Sequence, residues 1–409
     1  MTRSDRRKQP ALVLEPSRTL ERRIRSKLKQ HLASLGFAVA EDGSLSIEYD
    51  TKDAIRAVHR AQRIERLRES EAFLTKSAKD LLPVFANGDE ICPAAIDPKL
   101  QLVVAGTWES DVFRMASLLW SVPVSQGYGR RLRFLVWDRA NGKLIGLLAL
   151  GDPSFNLAAR DALIGWTSAD RKDRLVHMMD AFILGAVPPY SDLLAGKLIA
   201  CLVRSREVVN QFRERYRARV GLISRKPKEA TLVAITTTSS LGRSSVYNRL
   251  RLEGIDYFKA IGYTGGWGHF HVPRHLFEDM RKYLALRGHS YAHGYEFGDG
   301  PNWRLRTIRA TLDLLGYDAD LLRHGVNREV FISWVAGNGL RVLRGEVRRP
   351  LYPDLLSVAK IASLARDRWM CPRAARDDSY RHWKNGELLR RLDWRTWRDT
   401  AAGQVVVEA

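Results

Sequence analysis

RLRFLVWDRANGKLIGLLALG, residues 131–151, decides the fold class. Two apolar, strand-like runs, RLRFLVWD and KLIGLLALG, flank Arg139-Ala140-Asn141-Gly142. An Asn-Gly corner between such runs signals a β-hairpin, because both residues tolerate the positive φ of a tight strand connection. The second run is apolar almost throughout and reads as a core strand.

Directly behind it the chain changes character. The stretch LALGDPSFNLAARDALIGWT, residues 148–167, packs Asp152, Asn156, Arg160, Asp161 and Trp166 into a short span. Pro153 cannot continue a strand ladder, and Asp152 can accept backbone amides in a turn, so Gly151-Asp152-Pro153 terminates the strand. Arg160 follows Asn156 by four residues and shares its face if the segment is helical. Two readings stand for this block. It is a polar bracket that fixes the loop through an internal ion pair. Alternatively it is a site in which Arg160 binds phosphate, a carboxylate of Asp152 or Asp161 serves proton transfer or a metal, and Trp166 stacks on a base.

The composition bounds what surrounds this block. The chain has 409 residues, 45% of them hydrophobic, which is enough for a real core and predicts more than one domain. Sixty-seven Lys and Arg against 46 Asp and Glu give a formal charge of +21 and a pI near 10.1. Such a balance favours a nucleic acid as partner, through counterion release and forked arginine contacts. No run of about eighteen apolar residues occurs, and MTRSDRRKQP is not followed by an apolar signal segment. A cytoplasmic protein with no membrane partner is expected. Cys92, Cys201 and Cys371 lie too far apart for a paired zinc-ligand signature, and their odd number argues against a disulfide framework. They read as small buried residues.

Upstream of the hairpin, SRTLERRIRSKLKQHLASL (17–35) places Leu20, Ile24, Leu28, Leu32 and Leu35 on one face of a cationic helix. TKDAIRAVHRAQRIERLRESEAFL (51–74) repeats that character, with Ile55, Val58, Ile64 and Leu67 as core candidates. The basic residues of both helices are either solvated faces or direct phosphate contacts. Pro83, Asn87, Gly88, Pro93 and Pro98 mark a break near residues 83–99. Downstream, SADRKDRLVHMMDAFIL reads as helical, LLAGKLIACLVRSREVVNQFRERY as a long helix to Tyr216, and ATLVAITTTSS as a strand. The expected organisation is α+β. A basic helical region (1–85) precedes a mixed-sheet core (100–285), and a Trp- and Arg-rich, mainly helical region (286–409) follows it.

Two constellations remain. In GGWGHFHV (265–272), His269 and His271 alternate around Phe270, so on a strand both imidazoles point to one face, as a shared divalent metal requires. This pattern resembles the metal-binding strand of rolling-circle nickases and single-strand transposases. That likeness implies a tyrosine nucleophile, for which Tyr283 is the nearest candidate. The other reading of the two histidines is structural or nucleic-acid contact. Asn302, Trp303, Arg304 and Arg306, with Arg328 further on, form a candidate nucleic-acid surface, since arginines can pair with phosphate and tryptophans can stack on bases. Trp369, Trp383, Trp394 and Trp397 either pack in a helical tail or stand exposed for stacking.

SKLKQHLASLGF, KDAIRAVHRAQR, the hairpin with GDPSFNLAARDALIGW, GWGHFHVPRHLF and GPNWRLRTIRATLDLLG together resemble the protein A family of the Druantia anti-phage system, over most of the chain. The resemblance implies a bacterial defence or mobile-element protein acting around nucleic acid, DNA in the first instance, with a helicase or other protein of the system as partner. The middle region also resembles the Gcn5-related acyltransferase fold in the divergent form of phage Mom-like proteins. That likeness implies a divergent acyltransferase-like sheet, a base-modifying transferase as an alternative activity, and Tyr257 in IDYFKAIGY as general acid. The segment matching the cofactor loop, SDLLAGK (191–197), keeps only Gly196 of the usual glycines, which argues against acyl-CoA. The cofactor stays unknown, with a divalent metal on His269 and His271 as one reading. A DNA-binding module and a DNA-modifying or DNA-nicking enzyme are the two functional classes left standing.

Overall fold

The computed structural model describes residues 17–34, 38–39, 45–46, 52–124, 129–220, 227–265, 271–293, 303–318, 321 and 327–399. In chain order they form α1 (Ser17–Ser34), β1 (Ala38–Val39), β2 (Leu45–Ser46), α2 (Lys52–Glu69), α3 (Glu71–Leu81), β3 (Pro98–Leu102) and α4 (Trp108–Ser117). There follow β4 (Arg131–Asp138), β5 (Lys143–Gly151), α5 (Ala158–Ile164), α6 (Ser168–Arg174), β6 (Met178–Ala186), α7 (Ala195–Leu202) and α8 (Arg206–Tyr216). Next come β7 (Ala218–Val220), β8 (Pro227–Glu229), β9 (Ala234–Thr238), β10 (Arg251–Leu252), β11 (Ile255–Asp256), β12 (Lys259–Tyr263), α9 (Arg274–Leu286) and α10 (Trp303–Leu314). The chain closes with β13 (Glu329–Trp334), α11 (Gly339–Arg344), α12 (Val358–Ala365), α13 (Cys371–Arg376), α14 (Glu387–Leu392) and α15 (Trp394–Asp399). The described residues fall into two compact units, drawn from 1–50 with 269–324 and from 51–268 with 325–409.

The larger unit is built on a seven-stranded sheet in the order β12-β13-β9-β6-β5-β4-β3. The expected hairpin is its centre: β4 and β5 pair from Arg131↔Gly151 to Asp138↔Lys143, with Gly142 at φ +73 in the corner. Residues Leu144 to Leu150 of β5 are all buried because helices cover both faces of the sheet. One cover packs Leu198, Ile199 and Leu202 of α7, Val208 and Phe212 of α8 and Ile361 of α12 on Phe134, Leu148 and Leu150. The other sets Leu81 of α3, Val112 and Met115 of α4 and Leu388 of α14 on Leu135, Leu147 and Ala149. Each such leucine removed from water contributes about 1.5–3 kcal/mol. The architecture is thus a mixed sheet with helices, flanked by helical N- and C-terminal regions.

Among the described strands of this sheet, β6 and β9 form the one parallel pair, over Met178↔Ala234, Met179↔Ile235 and Asp180↔Thr236. A parallel neighbour needs a crossover, which α7 and α8 supply. Two expectations are corrected here. SADRKDRLVHMMDAFIL is helical only to Arg174, turns through a 3₁₀ segment, and continues from Met178 as β6. Strand pairing on both sides overrides the helix-compatible spacing of its apolar residues. The long helix to Tyr216 is broken at Val203–Ser205, where the Ser205 side chain accepts the Val208 amide as a fresh N-cap.

The stretch between α3 and β3 runs as three 3₁₀ turns that hold the tail. The Gly88 amide donates to the Trp383 carbonyl, and Asn385 Nδ2 donates to Phe85 O. The tail tryptophans pack against arginines: Arg63 lies 3.6 Å over Trp397, Arg68 5.4 Å over Trp394 and Arg391 4.7 Å over Trp383, while Trp369 is buried. Cys201 is buried as expected, whereas Cys92 is exposed and Cys371 half-buried. No helix among the described residues is long and apolar enough to cross a membrane.

The smaller unit joins α1 to α9 and α10. Leu20, Ile24, Leu28 and Leu32 of α1 are buried as their spacing predicts, along with Leu276, Met280, Leu284, Ile308 and Leu312. The buried Asp279 carboxylate takes Arg23 at 3.0 Å and Lys27 at 2.6 Å, so part of the α1 charge is spent internally. Arg18, Arg22 and Lys29 remain exposed.

Candidate functional site

The block after β5 forms a closed polar knot. Arg160 of α5 is fully buried; its Nε and Nη2 reach Asp161 Oδ1 at 2.8 and 2.6 Å, Nη1 the Ser154 carbonyl at 2.7 Å and Nη2 the Phe155 carbonyl at 3.0 Å. Asp161 Oδ2 accepts from Arg171 at 2.9 Å and from the Leu157 amide at 3.3 Å, which holds the first turn of α5. Gly165, at φ +81, caps the other end in the left-handed conformation that glycine adopts without strain. Trp166 is buried, donates its indole N–H to Leu343 O at 2.7 Å and has the Arg160 guanidinium over its ring. Asn156 is exposed on the loop between Pro153 and α5.

Asp152 stands apart from this knot. Arg130 Nε meets it at 2.6 Å and the Arg130 amide at 2.9 Å, while the same guanidinium donates to Val176 O and Met178 O and lies over Phe212 and Tyr216. Those rings belong to the α7–α8 side of the sheet, whereas Arg160 and Trp166 pack with Met178, Ile332 and Leu343 on the other side. The block therefore divides its charges between two faces.

Within electrostatic reach of Arg160 stands an acid that the sequence reading missed. Asp180, the third residue of β6, lies opposite Gly151, accepts from Thr236 Oγ1 at 2.7 Å, and has its carboxyl pushed up to about 6 by burial, against the pull of Thr236 and Arg160. Burial lowers the Arg160 guanidinium while its contact with Asp161 raises it. The available signal was an aspartate inside the apolar run MMDAFIL.

The other nominated residues lie elsewhere. Tyr257 is buried between β11 and β12, its amide on Leu250 O, its ring under Arg204, its phenol pushed upward by burial. In the smaller unit, Tyr283 is fully buried with its hydroxyl accepting from Arg287 at 3.2 Å. There too, Trp303 packs edge-on against Phe277, Arg304 donates to Val272 O at 2.6 Å, and Arg306 is exposed. His271 presents its carbonyl to His31 Nε2 at 2.7 Å. His269 and Asn302 lie outside the described residues. Among the described residues no group of three or more His, Cys, Asp or Glu is placed to hold a metal ion.

A second concentration of charge runs along α2. Lys52, Arg56, His59, Arg63 and Arg66 recur at spacings of four, three, four and three, so they share one helical face. The middle of this face is turned inward: His59 and Arg63 are buried, Arg56 and Arg66 are half-buried, Lys52 at its start is exposed, and the neighbouring Arg60 donates to the Trp397 carbonyl at 2.8 Å. Arg328, just before β13, reaches His59 Nε2 at 3.4 Å, while His59 Nδ1 meets Gln62 Oε1 at 3.2 Å. A guanidinium only donates, so the imidazole accepts through Nε2 and carries its proton on Nδ1. Arg328 Nε is buried with no hydrogen-bond partner, and burial alone depresses this guanidinium. Arg66 makes no side-chain hydrogen bond or ion pair with a described residue. Burial lowers its guanidinium too, Arg114 of α4 adds repulsion, and Glu69 contributes only attraction at a distance.

A family model described as Druantia protein DruA matches residues 49–345, from the start of α2 through α11. A curated relative, "Druantia protein DruA" of Escherichia coli (strain UMEA 4076-1), is 53% identical over 382 residues, covering 93% of this chain and 94% of its own. The chain belongs to the Druantia protein DruA family. Membership ties it to the Druantia anti-phage defence system, the role that the sequence resemblance implied. The family match takes in the α2 row, the hairpin, the Arg160 knot and Arg328. No solved structure matches the chain.

Proposed function

We propose that this member of the DruA family is the nucleic-acid-binding component of its defence system and acts on DNA beside other proteins of that system. One observation carries the reading: Arg328 and Arg66, two desolvated guanidiniums on or over the inward face of α2, have no carboxylate paired to them among the described residues. Burying an arginine costs several kcal/mol unless an anion offsets it. Phosphate oxygens supply that anion with a geometry matched to the guanidinium fork. The formal charge of +21 supplies long-range attraction to the same partner.

The test is the binding of purified full-length protein to labelled single-stranded and duplex DNA across a salt series, with strand scission followed in the same tubes under Mg²⁺, Mn²⁺ or EDTA. Affinity that falls log-linearly with salt, and falls less steeply in Arg328→Gln, is the expected result. Affinity independent of salt overturns the reading. Metal-dependent scission that is lost in a His269→Ala, His271→Ala protein would make the component a nuclease instead.

A further inference from the structure

The edge of the sheet at β3 and β4 carries an aromatic shelf. Trp108, the first residue of α4, is 50% exposed and stacks on Trp137 of β4, with ring centroids 6.1 Å apart and planes 6° from parallel. Trp137 is fixed in turn: its indole N–H donates to Gln101 Oε1 at 2.6 Å, and Gln101 Nε2 donates to Glu109 Oε1 at 3.0 Å. The Trp108 ring thus has a rigid support on one side and meets water over half its surface. Val104, 56% exposed, extends the apolar surface, and Thr107 Oγ1 closes the turn between them by donating to the Val104 carbonyl at 2.9 Å.

The same strand face carries arginines. Arg131, Arg133, Leu135 and Trp137 alternate along β4 and so share one side of the sheet. Arg133 lies 5.4 Å over Phe113 of α4. The Val103 amide donates to the Arg133 carbonyl at 2.7 Å, which sets Val104 beside Arg133 and joins the shelf to the arginines. A third arginine comes from α8: the Tyr216 hydroxyl donates to the Arg131 carbonyl at 2.8 Å and so holds Arg215 at the start of β4. Burial pushes the Arg133 guanidinium down, and repulsion from Arg131 and Arg215 pushes it the same way. No carboxylate among the described residues pairs with any of these three side chains.

Like charges gathered without a counter-charge repel, and anions that come to them relieve the repulsion. At the other end, Glu109 and Asp111 in the first turn of α4 make the surface acidic, so the Trp108 ring suits an uncharged π-face rather than an anion. Four residues of extended strand separate Arg133 from Trp137, about 13 Å. A nucleic-acid strand covers that span in about four stacked steps. Stacked bases and paired phosphates are the two contacts that an unpaired strand offers to an indole face and a row of guanidiniums. A duplex offers the phosphates but keeps its base faces inside the stack.

We propose that the β3–β4 edge is a track for an unpaired nucleic-acid strand, with Trp108 stacking on one base and Arg131, Arg133 and Arg215 taking phosphates further along. This assignment rests on the nucleic-acid function proposed above and adds to it a single-stranded ligand and a second contact surface.

The experiment uses full-length protein, wild type, Trp108→Leu, Trp108→Phe and Arg133→Gln. Four labelled probes of one length are titrated over a salt series: a single-stranded DNA, an RNA of the same sequence, a fully abasic DNA strand and the DNA duplex. Denaturation midpoints report whether each variant folds. Trp108→Leu is expected to weaken binding of the base-bearing single strand about tenfold, the weight of one base stacked on an aromatic ring, and to leave the abasic strand and the duplex unchanged. Trp108→Phe, which keeps an aromatic face, is expected to recover most of that loss. Arg133→Gln is expected to lessen the salt slope for the single strands, abasic included, by about 0.7, the share of one phosphate. Of DNA and RNA, the strand whose affinity depends on Trp108 is the one that the track takes. A folded Trp108→Leu protein that binds every probe as wild type does overturns the track and leaves the nucleic-acid function standing. Equal losses for base-bearing and abasic strands overturn it too, since stacking needs a base. If Trp108→Leu does not fold, an unchanged salt slope in Arg133→Gln overturns the track by itself. Wild-type protein that binds no probe in a salt-dependent way overturns both the track and the function it rests on.

Discussion

The Arg160 knot and the α2 row use the same side chain to opposite ends. Arg160 is fully buried, and its neighbours complete it: one carboxylate, two backbone carbonyls and an aromatic face. Arg66 and Arg328 keep more exposed surface than Arg160, and no described carboxylate pairs with them. A buried cation inside a closed set of acceptors is a scaffold, because the protein already holds its counter-charge. A desolvated cation without one stores a deficit that a ligand can relieve. Under the proposed function, the supply of acceptors more than the depth of burial is what separates the scaffold arginine from the two proposed to meet an anion.

Several substitutions would break or sharpen that contrast. The largest effect belongs to Arg160→Met. It takes from the buried Asp161 its closest cation, leaving Arg171 and the Leu157 amide, and frees two carbonyls, so a loss of about 3–5 kcal/mol in urea denaturation is expected, with DNA affinity per folded molecule unchanged. A protein of wild-type stability would show that the knot does not hold the block after β5.

Asp180→Asn comes next. The Asp180 carboxyl is raised from 3.8 to about 6 in the folded state, so folding favours its protonated form. The stability this gives is complete below about pH 4 and is lost as the pH climbs to about 6. The wild-type denaturation midpoint is therefore expected to fall relative to Asp180→Asn across that window and to stay below it at neutral pH. The accumulated difference is up to about 3 kcal/mol. Parallel midpoint curves would place the carboxylate in a better-solvated setting.

Arg328→Gln is expected to do the reverse of Arg160→Met. Removing a guanidinium whose Nε lacks a partner leaves stability unchanged or raises it by about 1 kcal/mol, while DNA affinity falls and the salt slope drops by about 1. Loss of stability without loss of affinity would put Arg328 with the scaffold. The smallest effect is expected from Arg22→Gln on the exposed face of α1, which should leave the denaturation midpoint in place.

Much of the framework was legible in the sequence. The hairpin was readable because Asn141-Gly142 and two apolar runs are local signals, and α1 because its apolar spacing is local too. Strand β6 was not, since MMDAFIL fits either a helix or a doubly covered strand until its neighbours are known. The knot after β5 was legible as a cluster, but the two readings of Arg160 differ only in what surrounds it. The α2 row shows the same limit. Its four-three spacing is plain in KDAIRAVHRAQRIER, and a solvated basic face has that spacing as well.

By itself the sequence determined the strong positive charge, the family, the mixed sheet around one hairpin, and the helices whose apolar faces recur in register. Each of these is set by composition or by residues a few positions apart. Only the tertiary structure decided which charges are answered. It buried Tyr257 and Tyr283, joined the N-terminal helix to segments some 250 residues away through Asp279, and brought Asp180 within electrostatic reach of Arg160. It also turned the cationic face of α2 inward against Arg328 and the tail tryptophans. Desolvation and pairing depend on atoms distant in the chain, and those terms distinguish an arginine with its counter-charge in place from one without a described carboxylate.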